Sequence, residues 1–251
     1  MVDTEPIDSL SVILAAYQEA NNLRILLPRL KTVLFDLTPQ YEVLVVDTQS
    51  PKDDTELICS QNNVRYIRRQ GGNNYGDAIR TGINEINSKF VIFMDADCSH
   101  NPEFIAQMWR KRNEADIVIA SRYIPGGSTD NPWILVQFSR LLNSLFISIV
   151  KIPVMDVSNS FRLYRHDLLR NLTLVNDHFD ILEEILAKLL WERNPPAKIL
   201  EIPYSFEKRY SGKSKRNLFV FGFHFMQALF RLKTLRNKQM KTNERSSILK
   251  E

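Results

Sequence analysis

The chain has 251 residues, 44% of them hydrophobic and 25% charged, enough for one large α/β domain with its own core or at most two small ones. A net charge of +4 is a mild basic bias and falls short of what a dedicated nucleic-acid binder carries. The two cysteines, Cys59 and Cys98, form no metal-ligand spacing, and no basic region followed by an apolar run opens the chain. A reducing, cytoplasmic setting is therefore expected.

Leu10 to Ala16 reads as a short apolar strand, and Asn21 to Leu34 as a helix with Leu23, Leu26, Leu27, Leu30, Val33 and Leu34 at helical spacing. Tyr41 to Val46 is a second strand, ending in Asp47. A turn-rich loop, a helix over Thr55 to Gln61 and a short strand over Val64 to Arg68 follow. Asn74 to Ile86 is a helix with Gly76, Ala78 and Gly82 near one face, small residues that permit close approach of a strand or a ligand. Phe90 to Met94 is an unbroken apolar run, the signature of a strand buried on both faces. A helix over Glu103 to Asn113 and a fifth strand over Ile117 to Ser121 complete the pattern, which ends at Arg122 and Tyr123. Strand–helix units of this kind predict a Rossmann-like, mostly parallel central sheet with helices on both faces.

Beyond this half lie a Gly/Pro/Asp loop, an amphipathic segment over Trp133 to Val150, and the polar turn of Asp156 to Arg165. A helix over Phe179 to Trp191 and a strand over Lys198 to Phe206 come next, then the basic run Lys208 to Arg216 and a second amphipathic segment over Leu218 to Leu232. Gln137, Arg140 and Asn143 interrupt the first amphipathic segment and His224, Gln227 and Arg231 the second, so neither is a clean membrane span. Both read equally well as core helices or as helices lying on a membrane surface. The expected organisation is one domain over 1–232, with a first half at about 8–123 and a second at about 124–232. A basic polar tail, expected to be disordered, occupies 233–251.

The central strand ends in Asp95 and Asp97, two carboxylates one residue apart, followed by Ser99 and His100. Ligands of open α/β sheets bind beyond the carboxyl ends of the strands. Two acids that close repel each other unless a cation lies between them, and oxygen ligands suit Mg²⁺ or Mn²⁺. A pair of solvated acids capping the next helix is the alternative at this point. No G-x-G-x-x-G follows the first strand and no Walker lysine is present, so a hydride-transferring dehydrogenase and a P-loop nucleotidase are both poorly supported.

Seven blocks stand in order: AAYQE at Ala15 to Glu19, VVD at Val45 to Asp47, YGDAIRTGI at Tyr75 to Ile83, MDADCSH at Met94 to His100, SRY at Ser121 to Tyr123, SFRLYR at Ser160 to Arg165, and SGKSK at Ser211 to Lys215. With these the chain resembles the family 2 inverting glycosyltransferases, in the branch of dolichol-phosphate mannose synthases and other polyprenyl-phosphate sugar transferases. The resemblance implies a GT-A fold with amphipathic C-terminal helices. It also implies a nucleotide-sugar donor (GDP-mannose or a UDP-hexose), a polyprenyl phosphate acceptor and Mg²⁺ or Mn²⁺. Ala15, Tyr17, Glu19, Asp47, Gly76 and Asp95 would bind the donor, and Asp95, Asp97 and Ser99 would hold the metal. Arg122, Arg140, Ser160, Arg162, Arg209, Ser214 and Lys215 would handle the acceptor phosphate, with Asp95, Asp97, Arg122 and Arg209 carrying the catalysis.

The chain departs from the family in three places. Thr48 stands where a second acid often follows Asp47, leaving the base open; the loop Gln49 to Asp54 lacks the usual Gly-Ser pattern; and Asn159 stands where Gly is common. An acceptor phosphate is already an anion at pH 7, so no dedicated general base is expected. The implied place is the cytoplasmic face of a membrane, held by basic residues and amphipathic segments, with room for an anchoring partner subunit and no role for nucleic acid. The alternatives are a family 2 enzyme with a soluble glycan acceptor and a non-catalytic nucleotide-sugar-binding subunit.

Overall fold

A computed structural model describes residues 7–207, 210, 226–227, 229–234 and 236–237. Six helices and strands of the first half alternate as expected: β1 (Leu10–Ala15), α1 (Ala20–Leu37), β2 (Tyr41–Asp47), α2 (Thr55–Gln61), β3 (Arg65–Arg68) and α3 (Tyr75–Glu85). Then come β4 (Phe90–Asp95), a 3-10 turn at Pro102–Phe104 running into α4 (Ile105–Arg110), β5 (Ile117–Ser121), β6 (Ser128–Thr129) and α5 (Trp133–Val150). The chain continues through β7 (Arg162–Arg165), α6 (His166–Arg170), α7 (Ile181–Trp191), β8 (Ile199–Pro203) and β9 (Ser205–Phe206).

Seven strands form one sheet in the order β3-β2-β1-β4-β7-β5-β8. All neighbours pair in parallel except β7, which runs antiparallel to both β4 and β5. The fold is thus α/β with a mostly parallel sheet. Period-2 alternation divides the strand side chains between two cores. Ile13, Phe93 and Ile119 face α3, α5 and α7. Val12, Ile92 and Val118 face α1, α2 and α4.

Strand order reverses between β1 and β4, and the register sets Ala15 opposite Asp95 on one side and Val46 on the other. That reversal opens the crevice in which such sheets bind ligands. The small residues of α3 let it close on its surroundings. A Cβ on Gly82 would come within 2.7 Å of Ile13 Cγ2, and one on Gly76 within 2.3 Å of the Asn176 carbonyl oxygen. Gly76 also donates its N–H to the Asp177 carbonyl. The space beside it is filled by a loop of this chain.

α5 is 18 residues long with a mean hydropathy of 1.5, long and apolar enough by length and composition to cross a membrane, contrary to the expectation from its polar interruptions. Leu142, Asn143, Phe146 and Val150 nonetheless pack inside the domain. Of the second amphipathic segment, only residues near its end are described. They are helical, with Leu229 and Leu232 buried in the core that faces α3, and the helix runs on through 233–234 and 236–237. The rest of the expected tail lies outside the described residues.

Candidate active site

The carboxyl ends of β1, β2, β4 and β5 bring Tyr17, Glu19, Asp47, Asp95, Asp97 and Arg122 to the same edge of the sheet. At the end of β2, Asp47 is almost wholly buried. Its carboxylate accepts from the Thr48 N–H at 2.7 Å and the Tyr66 hydroxyl at 3.2 Å. Burial pushes its carboxyl above the usual range, against these two hydrogen bonds. Glu19 ends the turn after β1 and accepts from the Asn22 amide. Tyr17 is partly exposed beside it.

Two residues here were not singled out from sequence. Arg69 is buried, bonding the Ala16 carbonyl at 2.5 Å and the Asn73 and Asn74 carbonyls at 2.9 and 3.1 Å. It ties the β1 end to the loop before α3. Asp53 caps α1 by accepting the Ala20 N–H at 2.9 Å, giving the departing loop Gln49 to Asp54 a local function. The Ala16 carbonyl is 53 residues from Arg69 and the Ala20 N–H 33 from Asp53, so no spacing rule could have found these ties to the end of β1.

Asp97 closes a tight turn, with Cys98 at φ +65°. Its Oδ1 accepts from the Ser99 N–H at 3.0 Å and the Ser99 hydroxyl at 2.5 Å. The Ser99 hydroxyl proton is directed to Asp97, so Ser99 serves the turn first. Asp95 is different. Its Oδ1 accepts from the Ser160 hydroxyl at 2.8 Å, while Oδ2 lies 3.9 Å from His100 Nε2 and takes no hydrogen bond among the described residues. Ser160, expected at the acceptor phosphate, instead orients Asp95.

His100 is fully buried against Phe161, ring centroids 4.7 Å apart. Nδ1 accepts the Asp95 N–H at 3.0 Å, which places the ring proton on Nε2, facing Asn159 Oδ1 at 3.2 Å. Asn159 in turn donates to the Ala120 carbonyl at 2.6 Å. Burial pulls the His100 pKa below the ordinary 6.5, the nearby Asp95 and Asp97 charges notwithstanding. The unfolded chain therefore takes up this proton first as pH falls. Stability from this group is intact above about 6.5 and declines below it, by up to about 1.4 kcal/mol per pH unit. Urea melts across about pH 5 to 8 should show that slope in the wild type and a shallower one in His100→Gln.

At the end of β5, Arg122 is pinned. Its Nε and Nη2 grip Asp156 Oδ2 and Oδ1 at 2.7 and 2.8 Å, its own N–H bonds Asp156 Oδ2 at 3.0 Å, and Nη2 also reaches Ser158 Oγ at 2.9 Å. Nη1 keeps both N–H groups without a partner among the described residues. Burial alone would raise the Asp156 carboxyl, but the Arg122 guanidinium overrides it and holds it below the usual range. Tyr123 lies between two cations: the Arg122 and Arg140 guanidinium carbons sit 4.9 and 5.5 Å from its ring centroid. Its hydroxyl shares a hydrogen bond with Ser139 of α5 at 2.8 Å.

Arg162 does not join them. Its side chain is fully buried on β7 and bonds the Val157 and Leu182 carbonyls at 2.5 and 2.9 Å and the Tyr164 hydroxyl at 3.2 Å. It is a core brace, which corrects its expected place at the acceptor phosphate. Arg209, Ser214 and Lys215 lie outside the described residues.

The family model for glycosyl transferase family 2 matches residues 11–173. The dolichol-phosphate mannosyltransferase of Pyrococcus furiosus is 30% identical over 230 residues, which cover 88% of this chain and 63% of that protein's length. Its Saccharomyces cerevisiae namesake is 29% identical, covering 82% and 80%. The polyprenol monophosphomannose synthase of Mycolicibacterium smegmatis is 28% identical, covering 88% and 84%. Among solved structures, glucosyl-3-phosphoglycerate synthase from Mycobacterium tuberculosis in complex with Mn²⁺, UDP and glucosyl-3-phosphoglycerate superposes with a TM-score of 0.67 at 15% identity, covering 88% of this chain and 77% of that one. With its strand order, its crevice and this match, the chain belongs to the family 2 glycosyltransferases and has their GT-A fold.

Proposed function

We propose that the chain transfers a hexose, mannose before glucose, from a nucleotide sugar to a polyprenyl phosphate at the cytoplasmic face of a membrane, with inversion at the anomeric carbon. The observation that carries this reading is the junction of Arg122 with α5. The guanidinium, pinned by Asp156 and with no Nη1 partner among the described residues, is linked through Ser158 and Tyr123 to a helix that exposes Trp133, Ile134, Phe138, Leu141 and Leu145 along one stripe. A phosphate on an isoprenoid chain needs both features, a bidentate cation and an apolar surface beside it. The relatives named for dolichol phosphate and polyprenol support the same acceptor class.

On the donor side, the residues fit a divalent ion. Asp95 presents one carboxylate oxygen that no described residue hydrogen-bonds, beside Asp97, and such oxygen donors suit Mg²⁺ or Mn²⁺. Among the described residues no group of three or more His, Cys, Asp or Glu is placed to hold an ion alone, so the remaining ligands would be diphosphate oxygens and water. When bound, the ion supplies charge stabilisation to the leaving diphosphate. The acceptor phosphate oxygen forms the bond to the anomeric carbon as the bond to the diphosphate breaks, and the electron pair leaves with the diphosphate. No proton moves, so no side chain serves as base. Arg122 and Arg140 hold the acceptor anion and keep its oxygen aimed.

Incubating the protein with labelled GDP-mannose or UDP-glucose, polyprenyl phosphate vesicles and Mg²⁺ or Mn²⁺ tests this. Label extracted into the lipid phase supports it; label appearing only on soluble acceptors, or nowhere, overturns it. Replacing Trp133, Ile134 and Leu141 together by Ser should lower partition onto anionic vesicles by about tenfold or more, measured by co-sedimentation.

A further inference from the structure

The free enzyme faces an electrostatic problem. Asp95 ends β4 and Arg122 directly follows β5, with only β7 between those strands. A mobile guanidinium at this spot would be drawn to Asp95 and would occupy the carboxylate oxygen that no described residue hydrogen-bonds. What prevents this is visible around Asp156. That residue sits in the turn before β7, fully buried, and takes three hydrogen bonds from Arg122. The turn is itself clamped: Glu201 of β8 accepts the Met155 and Asp156 N–H groups at 2.8 and 3.1 Å, and Asn143 of α5 accepts the Val157 N–H at 3.0 Å. On the other side Ser160 restrains Asp95.

We propose that Asp156 is a positioning residue that holds the Arg122 guanidinium off Asp95, keeping the cation-binding carboxylate and the phosphate-binding guanidinium from neutralising each other before substrates arrive. The pair works as a tether. Nε and Nη2 are consumed by Asp156, and only Nη1 is presented, in a direction set by two other elements of the fold. Arg122 so fixed is preorganised for an anion, and Asp95 stays available for a metal. The inference rests on the proposed roles of Asp95 and Arg122, and its test is read without turnover.

The measurement is Mn²⁺ affinity in the presence of GDP, from the electron paramagnetic resonance signal of free Mn²⁺, on the full chain. Asp156→Asn frees Arg122 to approach Asp95 and should weaken Mn²⁺ binding by about tenfold, in the range seen when residues that orient metal ligands are lost. Adding Arg122→Gln to that variant removes the competing cation and should restore affinity to within about threefold of wild type. An Asp156→Asn variant with wild-type Mn²⁺ affinity, or a double variant weaker than the single, overturns the proposal. If the single variant does not fold, the double variant, whose two neutral amides can pair, still decides. It must bind Mn²⁺ within about threefold of wild type, and a loss of tenfold or more overturns the tether. A wild-type protein that binds no Mn²⁺ would instead overturn the metal site itself.

Discussion

Asp97→Ala should lower sugar transfer by about 10³-fold, roughly 4 kcal/mol of transition-state stabilisation, while leaving the fold intact. Asp97 lies just past the tip of the central strand, and its side chain shapes the turn there. It accepts two hydrogen bonds from Ser99, and its carbonyl accepts the Tyr210 N–H. Losing the two side-chain bonds costs roughly 2–3 kcal/mol of stability, less than the expected kinetic loss. Asp97→Asn retains the turn and should be nearly as slow, because a neutral amide cannot replace an anionic metal ligand. Single-turnover rates at saturating donor check this. An Asp97→Ala enzyme working at the wild-type rate would remove the metal from the proposed mechanism.

Arg162→Ala should have the opposite signature, a loss of roughly 3–5 kcal/mol of stability with the acceptor KM unchanged within about twofold. The side chain is fully buried, and its removal opens a cavity and strands the Val157 and Leu182 carbonyls without their donors. For a chain of this length that corresponds to a fall in melting temperature of roughly 10 °C. Thermal melts and acceptor titrations on the surviving folded protein separate the two readings. A stable variant with a raised acceptor KM would return Arg162 to the phosphate site.

The sheet and its chemistry were legible to different depths. Six parallel strands could be read, β1, β2, β4, β5 and β8 as runs rich in apolar residues and β3 from the turn signals on either side of it, and the acids at the tips of β2 and β4 follow from where such strands end. β7 could not be read: Arg162-Leu163-Tyr164-Arg165 has the same cation-bounded form as β3 but runs straight into α6 with no turn signal behind it, and only its pairing on both sides shows it to be an interior strand. Arg162 was misplaced for the same reason, since an arginine in a motif looks like a ligand contact until its carbonyl partners are seen. Asp156 and Glu201 escaped notice because their partners are 34 and 45 residues away. Local periodicity carries no information about such pairs. Asp95 and Arg122 were found because they directly follow or end strands, positions that composition and pattern do mark.

The antiparallel strand at the centre of the sheet has a consequence for dissecting this enzyme. β4 and β5 do not touch as neighbours; each pairs with β7, which the chain supplies only after α5. A fragment cut after Tyr123 would keep every donor-side residue yet contain a slot one strand wide, with two rows of backbone amides and carbonyls facing empty space. Such a piece should aggregate through those edges rather than bind nucleotide, so truncation is a poor route to a minimal donor-binding module. Circular permutation, which preserves the inserted strand, is the better one.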